Sequence, residues 1–256
     1  MIGQERLLAH LQTYSSITAL PPVLFLIGPE GSGKHLLATQ IANHFQYPLQ
    51  WIHLGDPLLT TDIQFYGIDL SDLTFREQAK WRIVLESRPV TAHLIFIAEA
   101  WDLVAEILQT QGERWMLQPY TESQLQSFLP SDFPQGEIRD VILTPGQAQQ
   151  VHSTVWFQEM LQLCNLILTK MKDANFANAL SLVHRFQYKP EEELKIPLGL
   201  FFNCMLKQAA QRDFQIYQIT LQYQHLARYK SLNLTNLMES YIIQLWKETH
   251  NGYSRT

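Results

Sequence analysis

Gly28-Pro29-Glu30-Gly31-Ser32-Gly33-Lys34-His35 holds the residues best suited to chemistry in this chain. Seven of its eight positions fit the phosphate-binding pattern G-x-x-x-x-G-K-[ST]. In that pattern the glycines let backbone N–H groups close around phosphate oxygens. The lysine meets the terminal phosphates, and the last hydroxyl holds Mg²⁺. His35 stands where that hydroxyl should be. Imidazole is bulkier and softer than a hydroxyl, and Mg²⁺ prefers oxygen at short octahedral distances. The loop therefore reads as a phosphate cradle that is poorly equipped for Mg²⁺. Lys34 has a second reading, as part of a loop kept by the fold with no ligand.

A nucleotide site also needs a strand ending in a carboxylate, with a neighbouring Glu to polarise water. Ile63–Ile68 followed by Asp69-Leu70-Ser71-Asp72 is the best candidate. Asp69 occupies the metal-side position, and Leu70 occupies that of the Glu but can neither take nor steer a proton. The other reading of Asp69 and Asp72 is a solvated strand-to-helix turn with an N-cap. His44, His53, His93, His152, His184, His225 and His250 show no metal-ligand spacing. Cys164 and Cys204 are two isolated thiols that read as small core hydrophobes; they fit a reducing cytoplasm and no zinc module. Phe201, Phe202, Phe214, Tyr217 and Tyr223 fall on helical segments and read as core or subunit interface.

The elements that must position these residues follow from hydrophobic patterning. Residues 4–14 form an amphipathic helix, and Pro21-Pro22 launches a buried strand, Val23–Ile27. A helix follows Lys34, with Leu36, Leu37, Ile41 and Phe45 on one face. Trp51–Leu54 and Ile63–Ile68 read as strands, Thr74–Glu86 as a helix and His93–Ala98 as a buried parallel strand. Residues 1–117 thus form an α/β sheet with a ligand site at the strand ends. Residues 118–150 hold short helices, one capped by Thr121-Glu122-Ser123-Gln124, and a loop at Pro130–Gly136. From 151 to 256 the segments 153–172, 174–186, 196–212, 214–230 and 234–248 are helical, with connections at 189–193 and 231–233. The net charge of −5 argues against a broad basic surface for nucleic acid. No secretory leader opens the chain, and no apolar run is long enough to span a bilayer.

The order of several short motifs resembles the clamp-loader ATPases of DNA polymerase, an AAA+ family. Ile2-Gly3-Gln4-Glu5 resembles the family's "GQ" opening. Asp69–Asp72, Leu85-Glu86-Ser87-Arg88-Pro89 and His93–Ala98 resemble its run "DEAD … LEEPP … strand". Residues 107–128 resemble the segment with the "SRC" arginine finger and the start of the lid. Thr144-Pro145-Gly146-Gln147-Ala148 resembles the lid motif "SPGRA". The resemblance implies an α/β P-loop domain (1–117), a small helical lid (118–150) and an all-α collar (151–256).

The departures are specific. Gln147 replaces the family's sensor-2 arginine, Thr110-Gln111-Gly112-Glu113 covers the finger position with Arg114 displaced, and the zinc-binding cysteines are absent. With His35 and Leu70, four hydrolytic elements differ, which resembles most the delta-prime-type, non-motor subunit. The resemblance then implies ATP or ADP held by Gly28, Pro29, Glu30, Gly31, Ser32, Gly33, Lys34 and His35, with Asp69 nearby and no catalytic residues. It implies a cytoplasmic subunit in a hetero-oligomeric ring with other clamp-loader subunits. That ring would meet the sliding clamp and, through the assembly, primer-template DNA, with no membrane involved. The alternatives are an active ATPase subunit, an unrelated P-loop enzyme, and a scaffold without ligand.

Overall fold

The computed structural model describes residues 2–58, 62–131, 133, 140–151, 153–172, 177, 180–181, 198–228 and 233–251. Two compact units form: Met1–Gln124 with Thr144–Gly146, and Leu125–Leu143 with Gln147–Thr256.

The first unit is built on a five-stranded parallel sheet. Its strands are β1 (Val23–Ile27), β2 (Leu49–Trp51), β3 (Gln64–Asp69), β4 (Ala92–Ala98) and β5 (Glu113–Met116), in the spatial order β2-β3-β4-β1-β5. β1 and β4 are buried at every position, as a strand covered on both faces requires. Their register is Val23↔Leu94 through Ile27↔Ala98. The chain leaves β1, fills one side of the sheet with β2, β3 and β4, and then places β5 on the other side of β1. The carboxyl end of β1 is therefore where the winding reverses, the place where such sheets bind ligands.

The helices of this unit are α1 (Glu5–Gln12), α2 (Lys34–His44), α3 (Phe75–Ser87) and α4 (Glu106–Gln109). Thr74 caps α3 in a capping box: its hydroxyl accepts from Glu77 N–H at 3.3 Å, and the Glu77 carboxylate accepts from Thr74 N–H at 2.9 Å. The opening Gly3-Gln4 is tied to the segment after β5. Gln4 Nε2 donates to Gln118 O at 2.9 Å, and its Oε1 accepts from Gln118 N–H at 2.8 Å. One amide thus imitates a strand pairing.

Three expectations about this unit need correction. β2 comes earlier than Trp51–Leu54, at Leu49–Trp51, because the chain turns at Gly55 with φ 102°. Leu36 is not on the inward face of α2: it is 53% exposed, and Lys34, Leu37, Ala38, Ile41 and Ala42 face inward. β5, of which the sequence offered only Arg114 as a surface-strand residue in place of a finger, is an edge strand in which only Trp115 of four residues is buried. That single apolar contact gives little periodicity to read.

The second unit is helical in its described residues. α5 (Glu122–Gln126) and α6 (Pro145–Gln149) are short, and each begins in residues of the first unit. They are followed by α7 (Thr154–Lys172), α8 (Leu198–Ala210), α9 (Phe214–Leu226) and α10 (Leu234–Asn251). The core includes Phe157, Met160, Cys164, Phe201, Phe202, Cys204, Tyr241 and Leu245. Both cysteines are buried, and the Cys164 thiol is held well above its ordinary pKa, first by its hydrogen bond with Cys204 and then by burial. Tyr217 and Tyr223 pack against this core, whereas Phe214 is 71% exposed. The helical reading of 174–186, the connections at 189–193 and 231–232, His152 and His184, and most of the 130–136 loop lie outside the described residues. Among the described residues no helix is long and apolar enough to cross a membrane.

Buried Gln78 joins α3 to the loops on either side of it. Its Nε2 donates to Leu73 O at 3.1 Å and Leu103 O at 3.0 Å, and its Oε1 accepts from Ala105 N–H at 2.8 Å. Gln78→Leu keeps the volume and strands these backbone groups, so urea unfolding should show a loss of about 2–3 kcal/mol. An unchanged midpoint would mean the amide contributes no net stability.

Candidate functional site

The site begins with the turn from β1 into α2. Gly31 has φ 73° and Gly33 has φ 90°, left-handed values that strain any side chain. Gly33 is the N-cap of α2, and its carbonyl accepts from Leu37 N–H at 2.9 Å. Lys34 follows, and its side chain folds back into the loop instead of reaching out. Its ammonium, 6% exposed as a residue, donates to Gly28 O at 2.7 Å and Pro29 O at 2.9 Å. Ser32 is 1% exposed, and its hydroxyl has no hydrogen-bond partner. An orphaned buried hydroxyl inside a glycine loop is the kind of group a bound phosphate oxygen satisfies. Pro29 and Glu30 are exposed.

Two supports that the sequence did not reveal hold the loop from outside. Tyr120 O–H donates to Ser32 O at 2.7 Å, and burial lifts this phenol above its ordinary pKa, keeping it a neutral donor. Thr144–Gly146, which belongs to the same compact unit as the loop, lies against Gly31. Gly146 N–H donates to Gly31 O at 2.9 Å. A Cβ on Gly31 would stand 2.8 Å from Gly146 Cα, and one on Gly146 would overlap Gly31 Cα. Both residues must be glycine for the two backbones to meet. The only sequence signal was the TPGQA string itself, which gives no hint of that contact.

The structure brings His35 and Asp69 together. His35 Nε2 lies 3.5 Å from Asp69 Oδ2, with the two side chains 60% and 34% exposed. The other carboxylate oxygen of Asp69 accepts from Ser71 N–H at 2.8 Å, as a residue of the strand-to-helix turn does, while the cap of α3 is Thr74. The His35 ring packs on Trp51 with centroids 4.5 Å apart. Trp51 in turn covers Gly67, its partner across β2 and β3, where a Cβ would meet the indole at 2.6 Å. Trp51 and Gly67 are neighbours of the His35–Asp69 pair that the sequence did not mark.

A P-loop nucleotide site ordinarily seats Mg²⁺ between its hydroxyl and the strand carboxylate. These residues do not fit that ion. The hydroxyl is gone, and a ring nitrogen faces the carboxylate in its place.

Each remaining departure has a structural occupation. Leu70 is 2% exposed and lies in the core with Ile68, Trp81 and Leu85, its N–H donating to Ile97 O at 2.9 Å. A carboxylate there would point into hydrocarbon. Gln147 Oε1 accepts from Leu143 N–H at 2.8 Å and so ties the chain entering α6. Arg114 is a β5 residue, paired with Phe25, and its guanidinium lies 5.1 Å from the centroid of the Trp101 ring.

No family model matches the chain, and no curated protein does. Several solved structures align with it. A DNA polymerase III gamma subunit-related protein of Thermotoga maritima aligns over 96% of this chain and 99% of its own at 8% identity, with TM-score 0.45. A RuvB Holliday junction branch migration motor of the same organism aligns over 49% of each chain at 20% identity, TM-score 0.39, so this chain matches about half of that motor's length. A point mutant of that RuvB aligns over 94% of this chain and 83% of its own at 16% identity, TM-score 0.47. These are likenesses of fold alone.

Two substitutions test the geometry. Gly146→Ala should speed hydrogen exchange of the amides from Gly28 to Lys34, because its Cβ must push the loop off Thr144–Gly146; unchanged protection would mean the contact is not needed. Leu70→Glu should lower stability by roughly 2 kcal/mol or more, the cost of burying an unpaired polar group, and should produce no ATP turnover. A stable, hydrolysing Leu70→Glu variant would show that this position can still present a carboxylate to the site.

Proposed function

We propose that this chain is a nucleotide-holding, non-hydrolysing subunit of a clamp loader, of the delta-prime type. One observation carries this reading: a braced loop with its glycines and lysine in place stands beside β3, after which Leu70, at the glutamate position, is sealed in the core. The lysine and glycine positions are in place, while the hydroxyl and glutamate positions serve other ends.

In this reading Lys34 exchanges its bonds to Gly28 O and Pro29 O for phosphate oxygens. The backbone N–H groups of Gly31–Gly33 and the Ser32 hydroxyl complete the cradle for ATP or ADP. The subunit acts by binding energy and geometry and cleaves no bond. The order of sequence motifs supports placing it in a hetero-oligomeric ring with other loader subunits, contacting the sliding clamp and reaching primer-template DNA through the assembly. The helical unit would supply the collar, and the cytoplasm is its setting. A net charge of −5 suits a chain that does not hold DNA alone.

Calorimetry with ATP and ADP on the wild type and on Lys34→Ala tests this. Binding that Lys34→Ala weakens by about tenfold or more, the loss of one charge-assisted phosphate contact, and no phosphate release, would support the proposal. Turnover by the purified chain would overturn it in favour of an active ATPase. Turnover lost from a reconstituted ring carrying Lys34→Ala only in this subunit would do the same. No nucleotide binding would leave a scaffold.

A further inference from the structure

The misfit between Mg²⁺ and this site has a positive side. We propose that His35 and Asp69 form the protein's half of a site for a nitrogen-accepting divalent cation of the Zn²⁺ or Co²⁺ class, which enters with the phosphates of the nucleotide. This inference rests on the nucleotide-holding reading of the same loop.

Geometry is the first support. Two ligands of a tetrahedral Zn²⁺, each about 2.0–2.2 Å from the ion, stand about 3.3–3.6 Å apart. Neighbouring ligands of octahedral Mg²⁺, each at about 2.0–2.1 Å, stand about 2.9 Å apart. His35 Nε2 and Asp69 Oδ2 are separated by 3.5 Å, a spacing that two ligands of one tetrahedral ion take and that a direct contact between a protonated imidazole and a carboxylate also takes. Ligand chemistry agrees: imidazole nitrogen favours the later d-block ions and gives Mg²⁺ nothing it prefers.

The surroundings fix both ligands. Ser71 N–H holds one oxygen of Asp69 at 2.8 Å and leaves the other towards His35. Trp51 backs the imidazole at 4.5 Å, and the bare Gly67 lets Trp51 lie there. Such outer contacts orient metal ligands and raise affinity. Yet two protein ligands do not make a closed site, and among the described residues no third His, Cys, Asp or Glu joins them. The missing ligands are phosphate oxygens and water. Lys34, the next residue, adds a positive charge that opposes a cation arriving alone and favours one arriving on a polyphosphate. Cation and nucleotide therefore bind with reciprocal cooperativity. The sequence led to the expectation of no zinc and no metal ligands, and this proposal departs from that expectation.

The test is calorimetry of ADP into the full chain in EDTA, and then of preformed ADP complexes with Mg²⁺, Co²⁺ and Zn²⁺. The visible absorption of the Co²⁺ complex is recorded alongside. Co²⁺ and Zn²⁺ should tighten ADP by about tenfold or more over EDTA, within the usual range of coupling between two ligands. Mg²⁺ should change it little, and Co²⁺ should show the intense bands of tetrahedral nitrogen ligation. His35→Ser should abolish the bands and pass the preference to Mg²⁺, and Asp69→Asn should remove both effects. Equal ADP affinity in EDTA, Mg²⁺, Co²⁺ and Zn²⁺ would overturn the metal site and leave the nucleotide reading standing. So would octahedral Co²⁺ spectra unchanged by His35→Ser. No ADP binding under any condition would overturn both. The metal comparison is made on the wild type, so the outcome does not hang on any variant folding.

Discussion

The reversal at the carboxyl end of β1 depends on two backbone conformations that only glycine adopts without strain. Gly31 and Gly33 turn a fully buried strand directly into α2, and every feature of the site inherits its position from that turn. Such a turn is costly to hold open, and three things stabilise it here: the Lys34 ammonium folded onto Gly28 and Pro29, Tyr120 on Ser32 O, and the backbone of Gly146 on Gly31. Tyr120 and Gly146 hold the backbone of the loop in shape, while the Lys34 bonds are those a phosphate would replace. Preorganisation of this kind favours affinity and leaves chemistry to other groups.

Those other groups have been drawn into structural work. Leu70 fills the core, Gln147 ties its own helix start, and Arg114 lies across Trp101. His35 is braced by Trp51 and faces Asp69. Each of these side chains has a structural contact that a substitution would disturb.

Much of the fold was legible from the chain. Val23–Ile27 and His93–Ala98 read as buried strands because apolar runs between turn residues have few other solutions, and the helix read over Thr74–Glu86 is α3, for which the structure adds that Thr74 is the cap. β5 was not legible, since its contribution to the core is Trp115 alone. The Leu36 error arose because Lys34, whose charge argues for solvent, takes an inward place on α2. The loop could be read residue by residue, whereas the His35, Trp51, Gly67 and Asp69 cluster could not. Its members come from α2, β2 and β3 and meet only through the sheet register. Gly146 was equally hidden, because nothing local to TPGQA says which backbone it must approach.

The sheet order also sets a timetable for the chain as it is made. Val23 pairs with Leu94, and Leu24 pairs with Glu113. Roughly 70–90 further residues must therefore leave the ribosome before β1 has both neighbours, a wait of roughly 4–18 s at ordinary synthesis rates. During that time the segment Val23–Ile27 is apolar on both faces and unpaired on both edges, the condition in which nascent strands associate wrongly. The strand that seats the phosphate loop is thus made early and housed late, and newborn chains depend on being shielded until β5 arrives.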